Sequence, residues 1–210
     1  MKYIEELLIR YPALSVCRGD LEQALAFMLD TYRKGGKLLA CGNGGSAADS
    51  SHIVGELMKG FLLKRPMTDG EAKRFEDALG KEDSAPFIAK LQRGIPAIAL
   101  DTASALITAY ANDVDADLIY AQQVFGYARP GDLFLGISTS GNSRNVVNAA
   151  KTAKALGIPS IALTGARESA LSSICTCTIR VPETETFKVQ ELHLPVYHAL
   201  CAEIEAALFL

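Results

Sequence analysis

Apolar residues in the first 35 positions recur at the spacing of an α-helix. One set starts at Ile4 and a second at Leu21, and each follows the i, i+3, i+4 pattern of an amphipathic helix. Pro12 separates the two sets, and Gly35-Gly36 follows the second. We therefore expect an N-terminal helical segment over residues 1–35.

Five short apolar runs alternate with helical patterns in the rest of the chain. Strands that alternate with helices form a mostly parallel sheet with helices on both faces. Ligands of such sheets bind at the carboxyl ends of the strands. The predicted strands are 38–41, 96–100, 133–135, 160–163 and 174–181. The first predicted helix is 47–59. A second follows the strand 96–100 and ends at 111, and a third is 117–123. A fourth follows the turn after the third strand and ends near 155, and the last begins at about 188.

The segment 60–93 interrupts this alternation, because it is too long for a simple connection. Thr68 and Glu71 have the spacing of a capping box, and Gly80 is a stop signal, so a helix is expected between them. We interpret the segment as an inserted helical flap. A decorative insertion without a role at the site is an equal alternative.

The composition is that of a globular protein, with 49% hydrophobic and 21% charged residues in 210. This length suits a single domain over 1–210. The net charge of −3 argues against a nucleic-acid-binding protein, which needs a basic face. The N-terminus has no apolar signal-peptide core, and no window approaches the length of a membrane span. We therefore expect a cytoplasmic protein with no membrane partner.

Five cysteines are scattered through apolar runs, which indicates reduced, buried thiols. Cys175 and Cys177 are two apart on a predicted strand, so their side chains point to opposite faces. They are therefore rejected as a redox or zinc pair.

The first predicted strand ends in a glycine-rich turn, Gly42-Asn-Gly-Gly-Ser46. Glycines allow a backbone to approach a ligand closely, and the following helix offers free N–H groups to an anion. The turn also matches the dinucleotide-binding pattern, but that pattern needs an acidic residue about 20 positions later. Residues 61–66 contain no acid, so no nucleotide cofactor is expected.

A second turn, Gly136-Ile-Ser-Thr-Ser-Gly-Asn-Ser143, follows the third strand. Its hydroxyls, together with backbone N–H groups, can form a neutral cradle for a phosphate monoester. Capping of the next helix is the structural alternative, but a cap needs only one hydroxyl. This turn has four, at Ser138, Thr139, Ser140 and Ser143. The two turns together predict a binding site for a phosphorylated sugar.

Two pairs of residues are candidates for a divalent metal site. His52 and Glu56 are spaced i, i+4 and share a helix face. Gln190 and His198 can point to one side of the last helix. Two imidazoles, a carboxylate and an amide are a plausible ligand set for zinc, although histidines on apolar helices are more often core residues. His193, between two leucines, is interpreted as such a core residue.

In order along the chain, these motifs resemble the SIS (sugar isomerase) family, and within it the phosphoheptose isomerases. The resemblance covers nearly the whole chain outside the flap, and the His/Glu and Gln/His pairs are its most specific part. The residues that carry it are Cys41-Gly-Asn-Gly-Gly-Ser46, His52 with Glu56, Asn112-Asp113, the turn 136–143 and the stretch 189–198.

The resemblance implies an α/β three-layer sandwich of flavodoxin type with a five-stranded parallel sheet. It also implies a homotetramer with active sites at subunit interfaces, and zinc on His52, Glu56, Gln190 and His198. Glu56 and His198 are in addition the implied acid–base pair, so each has two competing roles. The implied substrate contacts are Asn43, Gly44, Gly45, Ser46, Asn112, Asp113, Ser138, Thr139, Ser140, Ser143 and Gln190.

The chain departs from the family pattern around the sugar site. Residues 57–60 replace a Thr-Gly-Arg-like stretch, and Lys59, Lys64 or Arg65 is expected to supply the missing cation. Phe187 stands where the family has an aspartate, and the flap replaces a much shorter connection.

The resemblance implies an aldose–ketose isomerase that converts sedoheptulose 7-phosphate to D-glycero-D-manno-heptose 7-phosphate. The alternative is a non-catalytic sugar-phosphate-binding regulator that acts through a protein partner. Such a regulator needs the turns but not the four polar residues of the candidate metal site. An NAD(P)-binding protein is a third, weaker alternative.

Overall fold

Five parallel strands form the centre of the protein in this computed structural model, which describes all 210 residues. The sheet order is β2-β1-β3-β4-β5, so β1 lies between β2 and β3. Leu39 of β1 pairs with Ile98 on one side and with Phe134 on the other. The predicted five-stranded parallel sheet is confirmed. The strands are β1 (Leu38–Cys41), β2 (Ala97–Ala99), β3 (Leu133–Ile137), β4 (Ser160–Thr164) and β5 (Cys177–Arg180).

Ten α-helices cover the two faces of the sheet or extend from it. Successive side chains of β1 point to opposite faces, so Leu38 and Leu39 belong to two separate apolar clusters. A core on each face makes the fold a three-layer α/β sandwich, as predicted. The helices are α1 (Lys2–Arg10), α2 (Arg18–Arg33), α3 (Gly45–Met58), α4 (Asp69–Leu79), α5 (Lys81–Lys90), α6 (Ser104–Tyr110), α7 (Ile119–Tyr127), α8 (Arg144–Ala155), α9 (Ala170–Ile174) and α10 (Thr186–Phe209).

Shorter helical turns join several of these elements. A 3₁₀-helix over Pro12–Cys17 separates α1 from α2, as the position of Pro12 predicted. A π-helix over Ala111–Asp115 and a 3₁₀-helix over Ala116–Leu118 lead into α7. None of the helices combines the length and apolar character needed to cross a bilayer.

The fifth strand begins later than predicted. Residues 170–174 form a helix because Ser169 and Ser172 make a reciprocal capping box at its start. The predicted strand start at Ile174 was therefore wrong, since β5 begins at Cys177. The alternation predicted for this strand is confirmed by its alternating burial.

The cysteines are unpaired, and all but the partly buried Cys175 lie in the interior. Burial raises the pKa of the Cys177 thiol to about 12. Four of the five thiols are therefore buried, as expected.

The flap is a helical hairpin made of α4 and α5. Thr68 and Glu71 form the predicted capping box at the start of α4. Gly80 ends α4 and also precedes α5, a helix that was not predicted from the sequence. Phe75 and Phe87 contact each other across the hairpin, with ring centroids 6.0 Å apart. No residue of α4 and only Ser84 of α5 is buried, so the hairpin packs mainly on itself.

A buried ion pair fastens the beginning of this segment to α10. Arg65 Nε donates to Glu205 Oε1 at 2.7 Å, and both side chains are almost fully buried. Glu205 also accepts from the backbone N–H groups of residues 61–63, at 2.7 to 3.0 Å. Burial alone would raise the pKa of Glu205, but these donors outweigh it and lower the pKa. Arg65 in turn donates to the Leu57 carbonyl at 2.6 Å, so the pair also fixes the end of α3.

Removal of this carboxylate should destabilise the fold strongly. Glu205→Ala leaves a buried guanidinium without its charge partner, a loss that costs about 3 to 5 kcal/mol. The midpoint of unfolding in guanidinium chloride, measured at fixed protein concentration, should therefore fall. Asp77→Ala, which breaks the exposed pair with Lys73, is the control and should leave the midpoint nearly unchanged. Equal midpoints for the two variants would contradict this role of Glu205.

Candidate active site

A polar cavity of about 290 Å³ lies where β1 and β3 end. These strands are neighbours in the sheet, so the turns that follow them meet at one edge. The cavity brings both predicted turns together with Gln190 of α10. Its lining is Asn43, Gly44, Gly45, Ser46, Ile137, Ser138, Thr139, Ser143, Thr186 and Gln190.

The first turn requires glycine at successive positions. Gly44 has a φ of +57°, in the region that disfavours side chains. A Cβ on Gly42 would lie 2.5 Å from the backbone of Ser46, and one on Gly45 would lie 2.5 Å from Nε2 of Gln190. The glycines therefore let the chain enter α3 tightly while the Gln190 amide packs on the turn.

The second turn presents hydroxyls that are not used as helix caps. Ser143 precedes α8, but its side chain makes no capping hydrogen bond. Its Oγ lies 3.0 Å from Oγ of Ser138 instead. The capping alternative therefore does not account for Ser143. Ser140 is the one hydroxyl residue of this turn that does not line the 290 Å³ cavity. It lines an adjacent cavity of about 140 Å³, whose wall Thr139 shares.

A reciprocal amide pair, which the sequence pattern did not predict, joins the two turns. Asn43 Nδ2 donates to Asn145 Oδ1 at 2.8 Å, and Asn145 Nδ2 donates back to Asn43 Oδ1 at 2.9 Å. The Tyr120 hydroxyl adds a bond to the Gly42 carbonyl at 2.7 Å. Asn145 lies two residues after the end of the hydroxyl-rich turn at Ser143. Its position in the sequence gave no indication of a contact with Asn43.

His52, Glu56 and His198, three of the four predicted metal ligands, lie close together. His52 Nε2 is 3.1 Å from Glu56 Oε1 on α3, and the rings of His52 and His198 have centroids 5.0 Å apart. His198 Nε2 is buried and has no hydrogen-bond partner. Glu56 Oε2 accepts from Lys59 Nζ at 2.9 Å. We refer to His52, Glu56 and His198 as the polar cluster.

The electrostatics of the polar cluster favour a charged carboxylate beside a neutral ring. Burial would raise the pKa of Glu56, but its hydrogen bonds to Lys59 and His52 and their charges lower it overall. Burial and the neighbouring His52 lower the pKa of His198, against an opposing effect of Glu56. Glu56 is therefore ionised near pH 7, and the His198 ring is neutral.

The other predicted site residues lie outside the polar cluster. Gln190 lies against Gly45 at the cavity, eight residues before His198 on α10. Asn112 and Asp113 lie exposed in the π-helix and hydrogen-bond to each other at 2.8 Å, away from the cavity lining of this chain. Their contact with substrate stays a prediction.

His193 is a fully buried residue of α10. Burial lowers its pKa to about 4, against an opposing effect of the Thr164 backbone. The prediction of a core histidine is confirmed.

Of the three cations expected near the site, Lys59 contacts Glu56 directly. Arg65 is occupied by Glu205 in the interior and is not available to a ligand. Lys64 is exposed and makes no ion pair. Phe187, at the position of the family's aspartate, is also exposed.

The ligand chemistry of the polar cluster suits zinc, but its present arrangement does not form a metal site. Two imidazoles and a carboxylate are common zinc ligands. Nε2 of His198 has no hydrogen-bond partner and is therefore available to coordinate a metal ion. No group of three or more His, Cys, Asp or Glu side chains is arranged to hold a metal ion.

Two family models, both described as SIS domain, match residues 3–93 and 93–203. The fold and the paired turns thus define a SIS domain protein. Phosphoheptose isomerases from Akkermansia muciniphila and Crocosphaera subtropica are 34% and 38% identical to this chain. The alignments cover 95% and 92% of this chain and 91% and 84% of those proteins. The chain therefore belongs to the phosphoheptose isomerase family.

Solved structures agree with this assignment. The phosphoheptose isomerase from Neisseria gonorrhoeae is 30% identical, with a TM-score of 0.74, and the one from Francisella tularensis is 28% identical, with a TM-score of 0.76. Each comparison covers 98% of this chain and 95% of the other. The similarity therefore extends over the whole three-layer fold.

A side chain at Gly141 should distort the second turn. Gly141 has a φ of +67°, and a Cβ there would lie 2.1 Å from Oγ of Ser169. Gly157 is a matched control, because its φ is +71° but a Cβ would meet open space. Alanine at either position carries about 1 to 2 kcal/mol of backbone strain.

Both variants should therefore unfold at a lower midpoint, but only Gly141→Ala should bind inorganic phosphate about tenfold more weakly, a difference of about 1.4 kcal/mol. Phosphorus NMR titration measures the affinity. Unchanged phosphate binding in Gly141→Ala would show that the second turn does not hold the anion.

Proposed function

We propose that the protein isomerises sedoheptulose 7-phosphate to D-glycero-D-manno-heptose 7-phosphate. One observation carries this proposal: α3 starts at the cavity and bears His52 and Glu56 further along. His52 follows Gly45 by seven residues, or about 10 Å at about 1.5 Å per residue. That distance is on the scale of an extended heptose phosphate. The cavity and the polar cluster can therefore bind opposite ends of one substrate.

The phosphate binds in the cavity, where hydroxyls of Ser138 and Ser143 and the N-terminal end of α8 favour an anion. This contact fixes the far end of the sugar. The carbonyl end then lies toward Glu56, so the position of the reacting carbons follows from the length of the substrate.

The Glu56 carboxylate acts as the base. It removes a proton from C1 of the ketose, and the electron pair moves to form the enediol as the C2 oxygen gains a proton. Glu56 then returns its proton to C2, while the oxygen on C1 loses its proton to give the aldehyde. The lowered pKa of Glu56 keeps it ionised before the reaction.

His198 acts on the oxygen atoms. Because its pKa is lowered, its ring is neutral near pH 7 and donates a hydrogen bond through a neutral N–H. Such a group polarises the carbonyl and exchanges a proton with the enediol oxygens. A non-catalytic binder would need the cavity but would have no use for a half-buried imidazole beside Glu56.

We also propose that the polar cluster binds zinc through His52, Glu56 and His198 after small side-chain movements. Zinc bound there supplies a Lewis acid for the carbonyl. The family resemblance implies Gln190 as a fourth ligand, but Gln190 packs on Gly45 outside the polar cluster, so this proposal rests on the three cluster residues. The unpartnered His198 Nε2 supports this proposal most directly.

A homotetramer in the cytoplasm, with sites at subunit interfaces, completes the proposed function. Asn112 and Asp113 support an interface site, because they are exposed and do not line the cavity of their own chain. A second subunit would place a copy of these residues near the sugar.

Substitution of the base should abolish turnover. Glu56→Gln keeps the shape of the side chain but removes its basicity, and general acid–base groups contribute about 10² to 10⁴-fold. The isomerisation rate should fall by that range, with affinity for sedoheptulose 7-phosphate nearly normal. Glu76→Gln in the flap is a control that should keep the wild-type rate. A Glu56→Gln variant with near-normal turnover would refute the assignment of the base.

Zinc binding has a readout that does not depend on activity. After dialysis against buffered zinc, elemental analysis should find about one zinc ion per wild-type chain, as for a single site with three protein ligands. His198→Gln should lower this content, and Glu76→Gln should not. Equal zinc content in His198→Gln and wild type would place the ion elsewhere.

A further inference from the structure

The 290 Å³ cavity, called here the larger cavity, has no positively charged residue in its lining. It is lined by glycines, hydroxyl residues, two amides and one isoleucine. A phosphate monoester carries a charge of about −1.5 to −2 near pH 7. None of the three expected cations, Lys59, Lys64 and Arg65, lines this cavity. The hydroxyls and the helix N-termini therefore offset the charge of a bound phosphate only in part.

The adjacent cavity of about 140 Å³, called here the smaller cavity, contains the missing kind of charge. Thr139 and Thr186 line both cavities, so the two adjoin at these side chains. Arg167 lines the smaller cavity and is the only positively charged residue in either lining. Its side chain is exposed and makes no ion pair within the chain. A free guanidinium therefore lies next to the wall of the larger cavity.

Backbone hydrogen bonds fix the loop that carries Arg167. Gly165 N donates to the Thr139 carbonyl at 3.0 Å, which attaches the loop to the second turn. Ala166 N donates to the Glu183 carbonyl at 2.9 Å, which attaches it to the segment before α10. The backbone next to Arg167 is therefore held between the second turn and α10, while the exposed side chain is free to turn toward a ligand.

Two carboxylates line the smaller cavity together with Arg167, and neither forms an ion pair with it. Glu168 pairs with Arg180 and accepts from Ser172 Oγ at 3.0 Å. Glu183 has no cationic partner. Its charge disfavours an anion inside the smaller cavity, because like charges repel. The phosphate therefore belongs in the larger cavity, with the Arg167 side chain approaching it from the smaller one.

We propose that Arg167 is a further substrate-binding residue, whose guanidinium reaches past Thr139 and Thr186 to the phosphate in the larger cavity. A guanidinium donates two parallel, charge-assisted hydrogen bonds to phosphate oxygens. The inference rests on the proposed function in one respect, which is that this phosphate belongs to the sugar. Arg167 then selects for the charged end of the substrate and has no part in the chemistry at the carbonyl end.

Phosphorus NMR titration with inorganic phosphate, at fixed pH and ionic strength, tests this contact. Arg167→Gln should bind phosphate about tenfold more weakly than wild type, a difference of about 1.4 kcal/mol. Arg167→Lys keeps the charge but loses the planar pair of donors, so its affinity should lie between the two. Arg74→Gln is the matched control, because Arg74 is exposed on α4 of the flap and its loss changes the net charge equally. It should bind phosphate like wild type.

Glu183→Gln provides a test of opposite sign. Removal of the negative charge beside Arg167 should tighten phosphate binding by about twofold, the scale of an exposed charge interaction. Arg167→Gln should unfold at the wild-type midpoint, because the side chain is exposed and unpaired. A weaker affinity in that variant then reflects the lost contact and not a damaged fold.

Kinetics and binding together separate this inference from the proposed function. In an active enzyme, Arg167→Gln should raise KM for sedoheptulose 7-phosphate about tenfold with kcat within about twofold, as for a contact made equally in the ground and transition states. Equal phosphate affinity in wild type and Arg167→Gln, or an equal loss in Arg74→Gln, would overturn the inference. The titration needs no turnover, so an Arg167-dependent affinity in a chain that does not isomerise the sugar would support this contact and refute the isomerase.

Discussion

The pairing of β1 with β3 is the contact on which the site depends. The sheet order reverses direction at this pair, since β2 lies on the far side of β1 and β4 on the far side of β3. At such a switch point the following helices diverge and leave a crevice for a ligand. Here the crevice is closed at its base by the reciprocal bonds of Asn43 and Asn145. Backbone pairing and one amide pair therefore hold the two turns in register.

Helix α3 converts this binding crevice into a proposed reaction centre. Its first residue, Gly45, lines the cavity, and its last two turns carry His52 and Glu56. Helix α10 packs beside α3 and contacts it at two points: Gln190 lies against Gly45, and Tyr197 hydrogen-bonds to His52. Further along α10, Glu205 holds the segment that follows α3 through its ion pair with Arg65. The pair of helices therefore sets the distance between the cavity and Glu56.

The sequence predicted the features that depend on local chemistry. The turns, the capping box at Thr68 and the shared face of His52 and Glu56 follow from residue type and short spacing. Helix α5 was missed because Gly80 serves as the end of one helix and the start of the next. The Asn43–Asn145 pair joins residues 102 positions apart, and no local pattern encodes such a contact. Gln190 lies at the cavity rather than in the polar cluster, because eight residues of helix span about 12 Å.

The central claim is that the cavity and the polar cluster act on one sugar phosphate. Proton NMR of sedoheptulose 7-phosphate with the purified protein in deuterated water tests it most directly. An enediol mechanism predicts that the aldose signals of D-glycero-D-manno-heptose 7-phosphate grow with deuterium incorporated at C2. Binding of the sugar phosphate without formation of the aldose and without any deuterium incorporation would contradict the account.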